Sequence, residues 1–189
     1  MYYFYSLAAM IGIYSILTLS TNLLIGYGGI VSMSQASIFG IAAYTVAILT
    51  LHGVNWWLSL LPAILLTILA NILLTIPSLR ANGFCYMVIT FAFSKFMTTG
   101  FSSWELTGGS YGLYGIPRAS IFGISITNGL RQMVFVWCIL AVCFLVARRL
   151  IRSPYGQLVE AVRQEPAAVA AVGKSPLRIK VVNSAVSGV

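Results

Sequence analysis

Charged side chains are scarce in this sequence. Only 7% of its 189 residues are Asp, Glu, Lys or Arg, whereas soluble globular domains carry about a quarter. Acidic residues are the rarest, and the three are Glu105, Glu160 and Glu165. Hydrophobic residues make up 59% of the chain. Because a charged group inside hydrocarbon is costly, this composition indicates a membrane protein rather than a soluble domain.

Groups that carry out chemistry are also few. His52 is the single histidine, and the three cysteines lie in apolar runs without a CxxC pair, which disfavours metal and disulfide sites. The sequence contains no phosphate-binding loop, catalytic triad or pair of carboxylates. Its net charge of +8 comes from basic residues that border hydrophobic runs, a pattern of membrane topology rather than nucleic-acid binding. We therefore expect no enzymatic activity, no metal or cofactor in the chain itself, and no nucleic-acid partner.

Hydrophobic runs of about the length that crosses a bilayer, roughly 20 residues, occur five times. They cover residues 2–24, 34–51, 56–79, 84–101 and 128–147. A sixth run starts near Val181 and stops at Val189, too short to cross, so we expect a chain truncated inside a helix. The predicted fold is an all-α membrane protein, a polytopic bundle of about five complete spans and the start of a sixth. It forms one domain over residues 1–189, and no removable signal peptide is recognised.

Basic residues predict the orientation of these spans. Residues 148–180 hold most of the Lys and Arg: Arg148, Arg149, Arg152, Arg163, Lys174, Arg178 and Lys180. Since loops rich in Lys and Arg stay on the cytoplasmic side, we expect residues 148–180 to be cytoplasmic. Alternation then places the glycine-rich residues 26–34 inside and residues 104–128 outside. Arg80 agrees with this assignment, whereas Arg118 and Arg131 do not.

Residues 153–180, which we call the polar island, are predicted to form short helices outside the bilayer. Pro166 suits the first turn of a helix, and Gly173 suits a C-terminal cap. Between them, alanines 167, 168, 170 and 171 leave a low surface that another backbone can approach closely. The island therefore either docks into a groove of a soluble partner or is a solvated connecting loop. Composition alone leaves both interpretations open.

Three stretches carry a resemblance to a known family. The island reads EAVRQEPAAVAAVG over residues 160–173. The N-terminal stretch reads NLLIGYGG, SMSQA and FGIAAY between residues 22 and 44, and the outer loop reads LTGGSYGLYGIPR over residues 106–118. The island resembles the segment of ATP-binding-cassette importers that meets the ATPase, and the other two resemble branched-chain amino acid permeases. Each motif is weak by itself, but their order and spacing match over almost the entire chain.

The resemblance implies a permease subunit in a bacterial inner membrane. Its partners would be a second permease subunit, two ATPase subunits that bind the ATP, and a periplasmic substrate-binding protein. Contact with the ATPase would fall on Glu160, Arg163, Glu165, Ala167, Ala168 and Gly173. The outer loop would meet the binding protein or close the outer gate through Thr107, Gly108, Gly109, Gly112, Gly115 and Pro117. The alternative for that loop is an ordinary extracellular turn.

The glycine-rich stretch after the first span is the expected substrate pathway. Non-helical backbone at membrane depth is tolerated only where protein or a water-filled cavity surrounds it. The candidate pathway residues are Asn22, Gly26, Tyr27, Gly28, Ser32, Ser34 and Gln35. The alternative is that these glycines serve close helix packing.

Two positions depart from the family pattern. Gln35 stands where the family commonly has histidine, and an amide does not titrate, so we expect no proton-linked role there. Lys95 stands inside the fourth span, where a cation costs roughly 3 kcal/mol or more. We expect it to be structural or interfacial rather than a substrate ligand, with snorkelling, Glu105 or a backbone carbonyl as its relief.

The substrate is the least specified part of this interpretation. Similar motifs occur in permeases for urea and short-chain amides. A structural or anchoring subunit of a membrane complex, without a pathway of its own, is an alternative from another class. A nonfunctional truncated permease is the third.

Overall fold

The computed structural model describes residues 2–78, 83–117, 120–121, 124–125 and 129–188, and the chain is predominantly helical. The α-helices, numbered along the chain, are α1 (Tyr2–Thr21), α2 (Gln35–Leu51), α3 (Trp56–Ser78), α4 (Gly83–Ser103), α5 (Gly129–Ile151), α6 (Pro154–Gln164), α7 (Pro166–Ala171) and α8 (Pro176–Ser187). A π-helical turn, Asn22–Tyr27, continues α1. Two short strands, β1 (Ser120–Ile121) and β2 (Ile124–Ser125), pair antiparallel. The predicted all-α membrane bundle is confirmed.

The apolar helices have the dimensions of membrane spans. In the described part of the chain, α1 with its π-helical extension, α3, α4 and α5 are long and apolar enough to cross a bilayer. Helix α2 has 17 residues, which at 1.5 Å per residue is about 25 Å, at the short end of the spanning range. Large apolar side chains remain exposed along these helices, among them Leu61, Leu73, Phe96 and Leu145. Lipid contact accounts for such exposure in a chain of this composition.

Helices α1 and α5 pack side by side in the same direction, since Ala8 meets Trp137 in their first halves and Leu23 and Ile151 line one cavity at their ends. Trp137 Nε1 donates to the Ala8 carbonyl at 3.3 Å, and a Cβ on Gly12 would lie 2.6 Å from Val136 Cγ1. The close approach rests on Ala8 and Gly12, four residues apart, a spacing of small residues that is common where membrane helices meet.

Helices α2 and α4 also run parallel. Ser37 Oγ and Ser94 Oγ are 2.9 Å apart in a hydrogen bond, and one end of this pair is closed by Tyr44 stacked on Phe101 with ring centroids 4.5 Å apart. The parallel pairs α1–α5 and α2–α4 fit helices that alternate in direction along the chain. The glycine-rich residues 26–34 and the polar island therefore lie at the same end of the bundle.

Proline sets the start of every helix in the C-terminal part. Pro154, Pro166 and Pro176 each occupy the first turn of α6, α7 and α8, where the missing N–H is no loss. Ser153 also caps α6, because its Oγ accepts from the Gly156 N–H at 3.4 Å. The two predicted short helices on either side of Glu165 are confirmed.

Three predicted boundaries differ from the structure by three residues or more. The first span does not end at Leu24, because the π-helical turn extends it to Tyr27. The fifth extends beyond Ala147 to Ile151, since Arg148 and Arg149 are good helix formers and suit the negative end of a helix dipole. The last helix begins at Pro176 rather than near Val181. Leu79, Arg80, Arg118, Asn128 and Val189, which also entered the predictions, lie outside the described residues.

Candidate pathway and coupling sites

The predicted pathway residues divide into a buried group and an accessible group. Ser32, Ser34 and Gln35 are each less than 10% exposed. The Ser32 and Ser34 hydroxyls hydrogen-bond each other at 2.8 Å, and Tyr86 adds a side-chain hydrogen bond to Ser32. Both hydroxyls therefore have hydrogen-bond partners inside the bundle, at the start of α2.

Gln35 fixes the junction of three helices. Its Nε2 donates to the Ser187 carbonyl of α8 at 2.8 Å and also to Ser20 Oγ of α1. Its Oε1 is buried and has no partner among the described residues. An amide carries two N–H donors, and both of these polar contacts use Nε2. The Gln35 side chain therefore bridges α1, α2 and α8.

Asn22 and Tyr27 lie on accessible surface instead. Both line a cavity of about 390 Å³ between the end of α1 and the end of α5, together with Leu19, Leu23, Phe144, Ala147, Arg148, Ile151 and Arg152. A second hollow of about 610 Å³ lies beside it, with Leu19 and Asn22 in both linings, and Gly26 lines only the second. The structure thus does not bring the seven predicted pathway residues together around one space.

Side chains from distant parts of the chain bind backbone carbonyls of the π-helical turn. The Arg163 Nη1 donates to the Gly26 carbonyl, and Asn183 Nδ2 donates to the Leu23 carbonyl at 3.4 Å. Gly29 adopts a left-handed conformation with φ of 65°. Side chains of α6 and α8 thus each bind one carbonyl at the C-terminal end of the first span.

The predicted ATPase contacts are exposed residues of the polar island. They are Glu160, Arg163, Glu165, Ala167, Ala168 and Gly173. The buried residues of the island form an apolar cluster in which Val159, Val162 and Val169 pack on Ile179 of α8. Gly173 ends α7 in a left-handed conformation with φ of 79°, as a C-terminal cap requires. Val172, beside it, is 77% exposed.

Tyr155 joins the island to α8. Its hydroxyl donates to the Ile179 carbonyl at 3.4 Å, and burial raises the pKa of this phenol above its ordinary value. The hydroxyl therefore stays protonated and remains a donor at neutral pH. Together with the valine cluster, this contact lets α6, α7 and the start of α8 behave as one packed unit.

The predicted outer-loop residues form a compact cap on the end of α4. Thr107 is 3% exposed, and its Oγ1 donates to the Phe101 carbonyl at 2.7 Å and the Trp104 carbonyl at 2.8 Å. Four glycines of the loop adopt positive φ: Gly108, Gly109, Gly112 and Gly115. At Gly108 a Cβ would collide with the Gly112 carbonyl oxygen. Pro117 is exposed at the end of this segment.

Lys95 is exposed on α4, and it contacts an aromatic ring that was not among its predicted partners. Its ammonium is 5.7 Å from the centroid of the Phe91 ring, within the range of a cation–π interaction. Within the described residues this ring is its recorded contact, and Glu105 is not. Phe91 and Lys95 are four residues apart, so this is a local i, i+4 contact within α4, and snorkelling of Lys95 stays a prediction.

Sequence reasoning missed a polar seam between α3 and α8. Thr75 Oγ1 donates to Ser184 Oγ at 2.6 Å, and Ser184 Oγ donates to Asn71 Oδ1 at 3.4 Å. All three residues are at most 2% exposed. The signal was present, because Asn71 and Thr75 are polar residues four apart in a span, and such residues face the bundle interior.

Known proteins resemble the chain along most of its length. The family model described as "Branched-chain amino acid transport system / permease component" matches residues 3–189. The high-affinity branched-chain amino acid transport system permease protein LivM of Salmonella typhimurium is 29% identical over 199 residues, covering 92% of this chain and 47% of the relative. LivM of Escherichia coli is 28% identical over the same shares. No solved structure matches significantly.

The chain thus spans about half the length of the curated relatives it matches. Together with its apolar helices, the match identifies a multi-pass membrane protein. Because the family model covers nearly every residue, the chain belongs to the permease family of branched-chain amino acid transport systems.

Proposed function

We propose that this chain is part of a permease that carries branched-chain amino acids through a bacterial inner membrane, powered by ATPase subunits that dock on the polar island. ATP would be bound by those subunits. A second permease subunit would complete the pathway, and a periplasmic binding protein would deliver the substrate on the side of residues 104–117. In this orientation residues 148–180 are cytoplasmic.

The observation that supports docking is the two-sided packing of α6 and α7. Apolar side chains on one side anchor the pair to α8 through Val159, Val162 and Val169. The opposite side exposes small alanines together with Val172, a large apolar residue in the most charged part of the chain. A solvated linker does not need an ordered apolar surface, whereas a helix that binds in a groove needs small side chains for close approach and an apolar residue as an anchor.

Co-purification tests this docking. The tagged protein, extracted from its native membrane in mild detergent, should bring down an ATP-hydrolysing partner. Glu165→Arg should weaken that association at least about tenfold, since a reversed charge at an interface costs more than about 1.4 kcal/mol. Glu105→Arg is the matched control, because it reverses an exposed carboxylate at the opposite end of the bundle.

Two results would contradict the proposal. Equal ATPase recovery from wild type and Glu165→Arg would remove the docking role from the island. Absence of any ATPase from the wild-type preparation would instead favour a structural or anchoring subunit. Uptake of radiolabelled leucine into vesicles then tests the substrate, and uptake that stops when ATP is withheld supports the import mechanism.

A further inference from the structure

Three glycines at the end of the first span, Gly26, Gly28 and Gly29, contact side chains from α6 and α8. A Cβ on Gly28 would collide with Asn183 Nδ2, and a Cβ on Gly29 would lie 2.7 Å from Arg163 Cγ and 3.3 Å from Arg163 Cδ. The carbonyl of Gly26 accepts the Arg163 guanidinium. Gly28 thus leaves room for Asn183 and Gly29 for Arg163, whereas Gly26 accepts a hydrogen bond at its backbone oxygen.

The carbonyls at this helix end are almost fully used. The Gly28 N–H donates to Leu23 O at 3.2 Å, the Gly29 N–H to Ile25 O at 3.1 Å and the Ile30 N–H to Leu24 O at 3.3 Å. The Gly26 carbonyl oxygen accepts a hydrogen bond from the Arg163 guanidinium instead. A cation at a helix C-terminus is also favoured by the helix dipole.

The contact between this turn and the island is tight. Gly28 and Ile30 face Val159, Val162, Ile179 and Asn183 across a gap that is too small for a water molecule. Arg163 stands one position after Val162, which is 2% exposed. A displacement of α6 must therefore push against the turn rather than slide past it, because close-packed interiors transmit strain.

We propose that Arg163 is a positioning residue that transmits movement of the α6–α7 unit to the end of the first span. Its guanidinium holds the Gly26 carbonyl, its stem occupies the space left by Gly29, and Asn183 makes the matching contact from α8. The role rests on the proposed function, since only a docked ATPase would move α6. It assigns Arg163 to the inner face of the island rather than to the ATPase interface.

The test measures leucine uptake and ATP hydrolysis together. The full-length permease is reconstituted with its ATPase partners in proteoliposomes, and the ratio of leucine carried to ATP hydrolysed is compared across variants. Arg163→Gln should lower this ratio about tenfold, the scale expected for loss of one charge-assisted hydrogen bond. ATPase recovery should be unchanged, and Arg163→Lys should restore part of the ratio because it keeps a cationic donor. Arg178→Gln, at an exposed arginine of α8, is the control.

Glycine variants test the same contact from the other side. Gly29→Ala should lower the ratio as Arg163→Gln does, whereas Gly53→Ala should not. Gly53 has φ of 80° but nothing within 4 Å of its Cβ position, so it carries the same backbone strain without the close approach. In the double variant, Arg163→Ala removes the stem that Gly29→Ala would strike, so the two effects should be less than additive.

The outcomes separate the two proposals. Wild-type protein that carries leucine, with the same ratio in Arg163→Gln and Arg178→Gln, overturns the positioning role and leaves the transport function standing. Loss of the ATPase from Arg163→Gln also overturns it, because Arg163 would then be a docking contact. Wild-type protein that carries no branched-chain amino acid overturns the proposed function and the coupling role together.

Discussion

Ser184→Ala should loosen α8 from α3 by a measurable amount. The serine hydroxyl is the centre of the polar seam, because it accepts from Thr75 Oγ1 at 2.6 Å and donates to Asn71 Oδ1 at 3.4 Å. It is 1% exposed, so no water replaces it when it is removed. The substitution deletes one oxygen atom and adds no volume, which keeps the helix and its packing otherwise intact.

The magnitude follows from what each partner can still do. Thr75 Oγ1 also lies 2.7 Å from the Asn71 carbonyl, so its single proton keeps an acceptor after the change. Asn71 Oδ1 loses its donor from α8, and a buried polar group left unsatisfied costs about 1–3 kcal/mol. Hydrogen bonds between membrane helices are weaker on average, at about 0.6 and at most about 1.7 kcal/mol. We expect a loss of about 1 kcal/mol, near the overlap of these two ranges.

Unfolding by sodium dodecyl sulfate in mixed micelles measures this difference. Ser102→Ala is the matched control, since Ser102 is exposed on α4 and its Oγ donates only within the helix, to Thr98 O at 3.0 Å. A double-mutant cycle with Asn71→Ala isolates the pair. If Ser184→Ala and Ser102→Ala unfold at the same detergent fraction, with no coupling to Asn71, then the seam does not hold α8 and the reasoning is refuted.

Three further outcomes are expected. Gly12→Ala should destabilise the protein by about 1–3 kcal/mol, since its Cβ meets Val136 Cγ1 at 2.6 Å and overpacking is costly, whereas Gly100→Ala, with open space around it, should gain up to about 1 kcal/mol of helix propensity in detergent unfolding. Lys95→Met should leave leucine uptake intact, and normal assembly with abolished uptake would make Lys95 a substrate ligand. Burial raises the pKa of Tyr155, so its contribution to folding stability is present below about pH 10 and is lost as pH rises through the higher folded pKa. Tyr155→Phe should abolish this alkaline loss of stability, which melting curves at increasing pH will measure.

Helix positions were largely predictable from the sequence, because they depend on local information. Hydrophobic length set the spans, and Pro166 with Gly173 set the limits of α7. The start of α8 was missed although Ser175-Pro176 has the same form as Ser153-Pro154, which begins α6. The apolar run drew attention to Val181, whereas the helix begins where proline fits its first turn.

Contacts between helices were not predictable in the same way. Arg163 and Gly26 are 137 positions apart, and nothing in the periodicity of either segment specifies the other. Composition identified Arg163 as a charge in the island and Gly26 as a break after a span. It could not show that the guanidinium points inward, since an arginine at a helix end looks the same whether it meets solvent, a partner or a backbone carbonyl.

This contact changes what the glycine-rich stretch means for the pathway. The sequence left two interpretations, a broken helix beside the substrate path or close packing through glycine, and at Gly28 and Gly29 the structure favours the second, because incoming side chains fill the space. The accessible polar groups come before these glycines, at Asn22 and Tyr27, where the π-helical turn lines a cavity that Arg148 lines as well. The glycine-rich stretch thus has two adjacent parts: one lines an open cavity, and the other packs against side chains of α6 and α8. If the island moves Gly26 as proposed, Asn22 should move as well, because a single turn of helix separates the two residues.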